Sequence, residues 1–259
     1  MDIYIINLDK RQDRLREISS HLGGLGLDYI RVAAIDALTL TENQYSVVDK
    51  ATDACWRSHQ LVFALISQGL ANNAVVLEDD AALNSDINWG ALLNQLDDYM
   101  TRSSIDILQL GFVERFFAMR MQEMTVKFFS AIRSALKLLY AIVFREDEAI
   151  SDYRWGCLNE VPMNLKVVPN DFAGGAHCYI ISHRAASAFQ NLNAPIFLPV
   201  EEFFYSIAIS SVCYQSFKIA RTSKSLAAQT GRSRGKVLDS DIESYIASFS
   251  VPSKRFKQK

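Results

Sequence analysis

Residues 73–83 read NAVVLEDDAAL, and no other stretch limits the possible folds as tightly. Ala74 to Leu77 are aliphatic and β-branched, the mark of a short buried strand. The run stops abruptly at Glu78, Asp79 and Asp80. Along a strand, residues two apart share a face, so Glu78 and Asp80 are expected to point one way and Asp79 the other. In a parallel α/β sheet, ligands bind just beyond the carboxyl ends of the strands. Two carboxylates there make a hard-oxygen site for a divalent cation that keeps positions open for phosphate oxygens. That arrangement suits a metal–diphosphate substrate such as a nucleotide sugar. The same letters also suit a helix start, with Asp79 or Asp80 as N-cap and the other acid at the positive helix end.

The setting is an alternation of strands and helices. Residues 2–8 (DIYIINL) read as a strand and 9–22 as a helix, with Leu15, Ile18 and Leu22 on one stripe. Gly23, Gly24 and Gly26 are expected to end that helix. Arg11 and Arg14, just past the first strand, have the fork geometry that meets phosphate; a solvated helix face explains them equally simply. Residues 29–35 form a second strand, closed by Asp36, which suits a ribose, a base or a turn. Residues 52–69 make a helix that turns Trp56, Phe63 and Ile66 to the core, with His59 near that stripe as a core or functional histidine. After the acidic strand come a helix at 87–100 and a strand at 105–111. Residues 171–189 return to strand and helix, and 218–220 and 225–229 read as short final strands. Such alternation over 259 residues, of which 49% are hydrophobic, predicts an α/β chain with a mostly parallel central sheet flanked by helices. Residues 199–204 (PVEEFF) set Glu201 and Glu202 at a helix start. Either is placed to serve as a general base toward an alcohol, or to complement the helix dipole.

Residues 114–150 stand apart as a long helical insertion. Its run 114–144 lacks Gly and Pro and aligns Phe129, Ile132, Leu136, Leu139 and Val143 at helical spacing. Arg133 and Lys137 lie mid-run, and each would cost about 2.5–3.5 kcal/mol at a bilayer centre, so a span is excluded. A basic amphipathic helix lying on an anionic membrane, or one packed on the domain, remains. The basic tail at 253–259 is read in the same two ways, as a membrane contact or a free end. A net charge of −2 gives no field for nucleic acid. The four cysteines, Cys55, Cys157, Cys178 and Cys213, show no CxxC spacing and are expected to be reduced core residues. The first residues run straight into a strand with an acid at position 2, not a leader. The expectation is therefore a cytoplasmic protein, with possible peripheral contact at the inner face of the membrane.

Ordered along the chain, residues 4–14 (YIINLDKRQDR), 33–36 (AAID), 57–60 (RSHQ), 75–81 (VVLEDDA), 174–188 (GGAHCYIISHRAASA), 199–201 (PVE) and Gln229 resemble glycosyltransferase family 25, the lipooligosaccharide-biosynthesis and collagen-galactosyltransferase family. The resemblance implies a Rossmann-like GT-A fold over residues 1–259 as a single domain. It implies an inverting transfer from a UDP-sugar, most often UDP-galactose, to an oligosaccharide or lipid-linked saccharide acceptor, with Mn²⁺ or Mg²⁺ as cofactor. Carried over residue by residue, it puts Asn7, Leu8, Arg11 and Arg14 at the nucleotide loop and Asp36 by the uridine. His59 falls in the Ser-His motif, and Glu78, Asp79 and Asp80 at the metal–diphosphate, the ion on Asp80 with help from Glu78. Gln229 joins the nucleotide-sugar site. Glu201 stands where the family more often has Asp, so Glu201 and Glu202 both stay base candidates. Three rival readings are a catalytically silent UDP-sugar-binding module, a metal-dependent phosphoester hydrolase, and a membrane-surface scaffold whose amphipathic segment is the functional part, which leaves the clustered acids unexplained.

Overall fold

The computed structural model describes residues 1–40, 48–113, 165–192, 198–214, 217–230, 232–233 and 236–237. The insertion at 114–150 and the tail at 253–259 lie outside them. Apart from a separate antiparallel pair of Arg232–Ser233 with Lys236–Val237, a nine-stranded sheet organises most of the described residues. Its strands are β1 (Asp2–Asn7), β2 (Ile30–Ala33), β3 (Asn73–Glu78), β4 (Ala81–Leu83), β5 (Ile107–Val113), β6 (Val167–Pro169), β7 (Gly174–Ser182), β8 (Ile219–Thr222) and β9 (Ala227–Gln229). The main path runs β2-β1-β3-β7-β5-β8-β6, and β4 joins through β9, which also pairs with β5. Strands β2, β1 and β3 are mutually parallel, and β5 is parallel to β8 and β9. β7 runs antiparallel between β3 and β5, and β6 is antiparallel to β8. Six of the nine strands therefore run in one direction; β7 reverses in the middle of the sheet, and β6 and β4 run against β8 and β9 at its margins.

Alternation along the strands divides the core. Ile3, Ile5, Val75, Leu77, Leu108 and Ile180 face helices α1 (Gln12–Gly24) and α3 (Trp89–Ser103), which contribute Ile18, Leu22, Leu92, Leu96 and Met100. Tyr4, Ile6, Val76, Tyr179 and Ile181 face α2 (Lys50–Gln68), α4 (His183–Phe189) and α5 (Val200–Tyr214), which supply Trp56, Phe63, Ile66, Phe189 and Phe204. Adjacent residues of one strand serve opposite layers because side chains alternate across the pleat. Among the described residues no helix is long and apolar enough to cross a membrane.

Several local expectations are corrected. α1 starts at Gln12, after a turn at Asp9 and Lys10 in which the Gln12 side-chain Nε2 donates to the Asp9 carbonyl. Gly23 and Gly24 belong to the helix; the turn is made by Gly26, at φ +69°, a left-handed conformation that glycine adopts without a Cβ clash. α2 begins at Lys50, where the Asp49 carboxylate accepts from the Ala51 and Thr52 amides. The acids do not open a helix. β3 ends at Glu78, and Asp79 and Asp80 form a turn into β4. The two-residue alternation therefore stops at Glu78, and the turn, not the pleat, aims the next two carboxylates.

Candidate active site

The tip of β3, the loop after β1, the β2 end and the first turns of α2 enclose a cavity of about 340 Å³. Its walls include Leu8, Lys10, Arg14, Asp36, Leu38, Cys55, Ser58, His59, Glu78, Asp79 and Asp80. Leu8, Arg14, Asp36, His59 and the three acids thus meet in one place although they come from separate elements.

Each acid has a different setting. Glu78 is half-buried, and its Oε1 lies 3.3 Å from His59 Nε2. His59 is buried, and its Nδ1 sits 2.7 Å from the Tyr179 hydroxyl of β7. Asp79 turns toward α1, where it accepts from Asn7 Nδ2 at 2.7 Å and Arg14 Nη1 at 3.2 Å. Burial raises its pKa, and the bonds to Asn7 and Arg14 offset only part of that rise. Asp80 is buried too; its Oδ2 accepts from Gln229 Nε2 at 3.0 Å, and its carbonyl accepts from the Thr230 amide at 2.6 Å. Asp80 Oδ1 has no hydrogen-bond partner among the described residues. Burial first, then the Glu78 charge, pushes the Asp80 carboxyl up to about 7 against the Gln229 bond.

The other candidates fall around this centre. Asn7 is buried beneath the loop, its amide also donating to the Arg11 carbonyl and its Oδ1 accepting from Arg31 Nε at 2.9 Å. Arg11 pairs with the exposed Asp13 and stands outside the cavity wall. Asp36 caps a short 3₁₀ turn (Ala37–Thr39) through the Leu38 amide and accepts from Lys10 Nζ at 2.7 Å. Burial would raise its pKa, but Lys10 and the Leu38 amide outweigh that and lower it. Glu201 is half-buried at the start of α5, whereas Glu202 is exposed. Burial raises the Glu201 carboxyl, the Glu78 and Glu202 charges add to the rise, and His59 opposes it. Glu201 thus shares the electrostatic field of Glu78 and His59.

Three participants escape a reading of the letters alone. Cys55 lines the cavity, with its thiol pushed up by burial and by the nearby Glu78, Glu201 and Asp80 charges. Cys55 and Cys178 are unpaired, as expected for reduced thiols. Ser58 Oγ accepts from the Ile35 amide at 2.9 Å and ties the β2 end to α2. Tyr179 orients His59 across a separation of 120 residues. Two of them left a trace in sequence: Cys55 lies one helical turn from His59, and Ser58 is the serine of the Ser-His motif.

One buried and two half-buried carboxylates at a strand tip, beside a cavity whose walls are partly apolar and partly charged, suit the binding of a cation and an anionic ligand. The model of glycosyltransferase family 25 (LPS biosynthesis protein) matches residues 1–204. No curated protein matches the chain. With the family model spanning most of its length, including every strand and helix that forms the cavity, the chain belongs to glycosyltransferase family 25, the LPS-biosynthesis glycosyltransferases.

Proposed function

We propose that the chain, as a single GT-A type domain, moves a sugar, galactose in the first instance, from a UDP-sugar to a saccharide acceptor of lipooligosaccharide or lipopolysaccharide. The anomeric configuration inverts, so an α-linked donor gives a β-glycoside. The observation that carries this reading is Asp80: a buried carboxylate, beside a second acid, with one oxygen on Gln229 and the other without a hydrogen-bond partner among the described residues. Buried charge of this kind is favourable only with a compensating partner. Asp80 and Glu78 present hard oxygens that fit Mn²⁺ or Mg²⁺, which when bound supplies positive charge against a departing diphosphate.

The side chains of the protein do the remaining work. Leu8, Lys10, Arg14 and Asp36 form the wall for the nucleoside diphosphate, and the bond from Asn7 Nδ2 to the Arg11 carbonyl closes the loop that carries Leu8 and Lys10. Asp79 anchors that loop through Asn7 and Arg14, and His59 steadies Glu78. Glu201 accepts the proton of the acceptor hydroxyl as that oxygen attacks the anomeric carbon opposite the leaving group. Its burial and its acidic neighbours raise its proton affinity, as a base requires. The run 115–145, with six basic residues against one acid, supports peripheral contact with the anionic cytoplasmic leaflet, where a lipid-linked acceptor would be met.

The test is incubation of the protein with a panel of UDP-sugars, a saccharide acceptor and Mn²⁺, followed by identification of all products. UDP together with a new β-glycoside is expected, and Asp80→Ala should abolish both while the circular dichroism is unchanged. UDP-sugar cleavage without glycoside would replace transfer by hydrolysis, and binding without either would leave a silent binding module.

A further inference from the structure

We propose that Cys55, His59 and Glu78 form a second cation site, for a thiophilic divalent ion of the Zn²⁺ class, and that its occupation competes with the use of Glu78 in sugar transfer. Cys55 and His59 lie four residues apart on α2, so their side chains project from one face of the helix. Glu78 meets them from the tip of β3. One donor atom from each residue lies within 4.8 Å of the others. Sulfur, imidazole nitrogen and carboxylate oxygen are the donors that zinc accepts, and three protein ligands leave a fourth position for solvent or substrate. All three residues line the 340 Å³ cavity, so an entry path and an open coordination position both exist.

The surroundings of His59 supply a second argument. Its ring stacks on Tyr179 at 5.8 Å, and Nδ1 is held by the Tyr179 hydroxyl at 2.7 Å, which leaves Nε2 aimed at Glu78 Oε1 at 3.3 Å. A ligating histidine is typically fixed in this way, by an outer partner on the other ring nitrogen. If Nδ1–H donates to Tyr179, the Nε2 lone pair faces a carboxylate oxygen, and a cation between them turns repulsion into coordination. In the opposite tautomer Nε2–H donates to Glu78 and no ion is needed. On binding, the Cys55 S–H bond breaks, the sulfur–metal bond forms and the proton leaves to solvent. Mg²⁺ and Mn²⁺ prefer oxygen donors and compete poorly for such a set.

The ion-binding half of this inference is independent of the proposed transfer reaction; only the competition rests on it. Co²⁺ is the probe, titrated into the metal-stripped full-length protein and followed by its thiolate charge-transfer absorption. A band that saturates at one equivalent, yields to Zn²⁺ and resists excess Mg²⁺ is expected. Cys55→Ser and Cys55→Ala should both remove the band with the thermal transition retained, and Tyr179→Phe should weaken Co²⁺ binding about 10–100-fold. Asp80→Ala should keep it. No band in the wild type, a band that survives in either Cys55 variant, or its loss in Asp80→Ala overturns the inference. In the transfer assay, Zn²⁺ should inhibit the wild type at least ~10-fold more strongly than Cys55→Ser, each compared with its own zinc-free rate. Equal inhibition overturns the competition even where the band is present.

Discussion

Replacing Asp80 by Asn tests the electrostatic core of the site without reference to turnover. The folded-state carboxyl titrates at about 7, against 3.8 for an ordinary aspartate. The native protein thus holds this proton over a window in which the unfolded chain has already lost it. The associated stability is complete below about pH 4 and is lost as pH rises through about 7. A gap of about 3 units at about 1.4 kcal/mol each gives ~4 kcal/mol in full. Between about pH 5 and about pH 8 the same linkage gives roughly 2.5 kcal/mol. An asparagine in its place would have no such dependence and would still accept from Gln229; its amide can also donate to Gln229 Oε1, which has no partner among the described residues. Urea unfolding in chelator should therefore show the Asp80→Asn variant gaining on the wild type by about 2.5 kcal/mol across that interval. Added Mn²⁺ should stabilise only the wild type. Stabilities that stay parallel across the interval in chelator would refute the account of Asp80 as an uncompensated buried acid.

Other perturbations probe neighbouring parts. Glu201→Gln should cut kcat by about 100-fold or more with UDP affinity retained, whereas Glu202→Gln, at an exposed position, should not; a loss confined to Glu202→Gln would transfer the base role. Arg14→Met removes the guanidinium from the half-buried Asp79 and should cost about 1–3 kcal/mol in urea unfolding, with much of it restored when Asp79→Asn is added. An additive double variant would deny the pairing. Gly111→Ala would put a Cβ 2.8 Å from both Cys178 Cβ and His177 Nε2 and 3.0 Å from Ala227 Cβ. The sheet must shift to admit it, at about 1–3 kcal/mol, and an unchanged urea midpoint would contradict that packing.

The agreement between letters and fold has a local cause. β1, β3, β5 and α2 were legible because apolar spacing along each segment matches its own pleat or turn, whatever its neighbours. Some misses were local, such as the Asp49 cap that starts α2; others came where a neighbour overrides local preference. Gly23 and Gly24 stay helical because Ile18 and Leu22, earlier in the same helix, are buried against the sheet, and packing offsets the modest cost of glycine. The reversal at β7 could not be read, since a strand's residues report its burial and not its direction.

The candidate site divides in the same way. Residue types and their order alone determined that acids terminate a buried strand, that basic residues follow β1, and that these pieces match one family. Only the tertiary structure decided which acid does what. The chain leaves strand geometry after Glu78, so Glu78 faces His59, Asp79 faces Asn7 and Arg14, and Asp80 faces Gln229. The partners of Asp80 and His59 lie 149 and 120 residues away in sequence. Local propensity acts over a few residues, whereas the charge and orientation of a buried carboxylate are set by whatever the fold brings within a few ångströms of it.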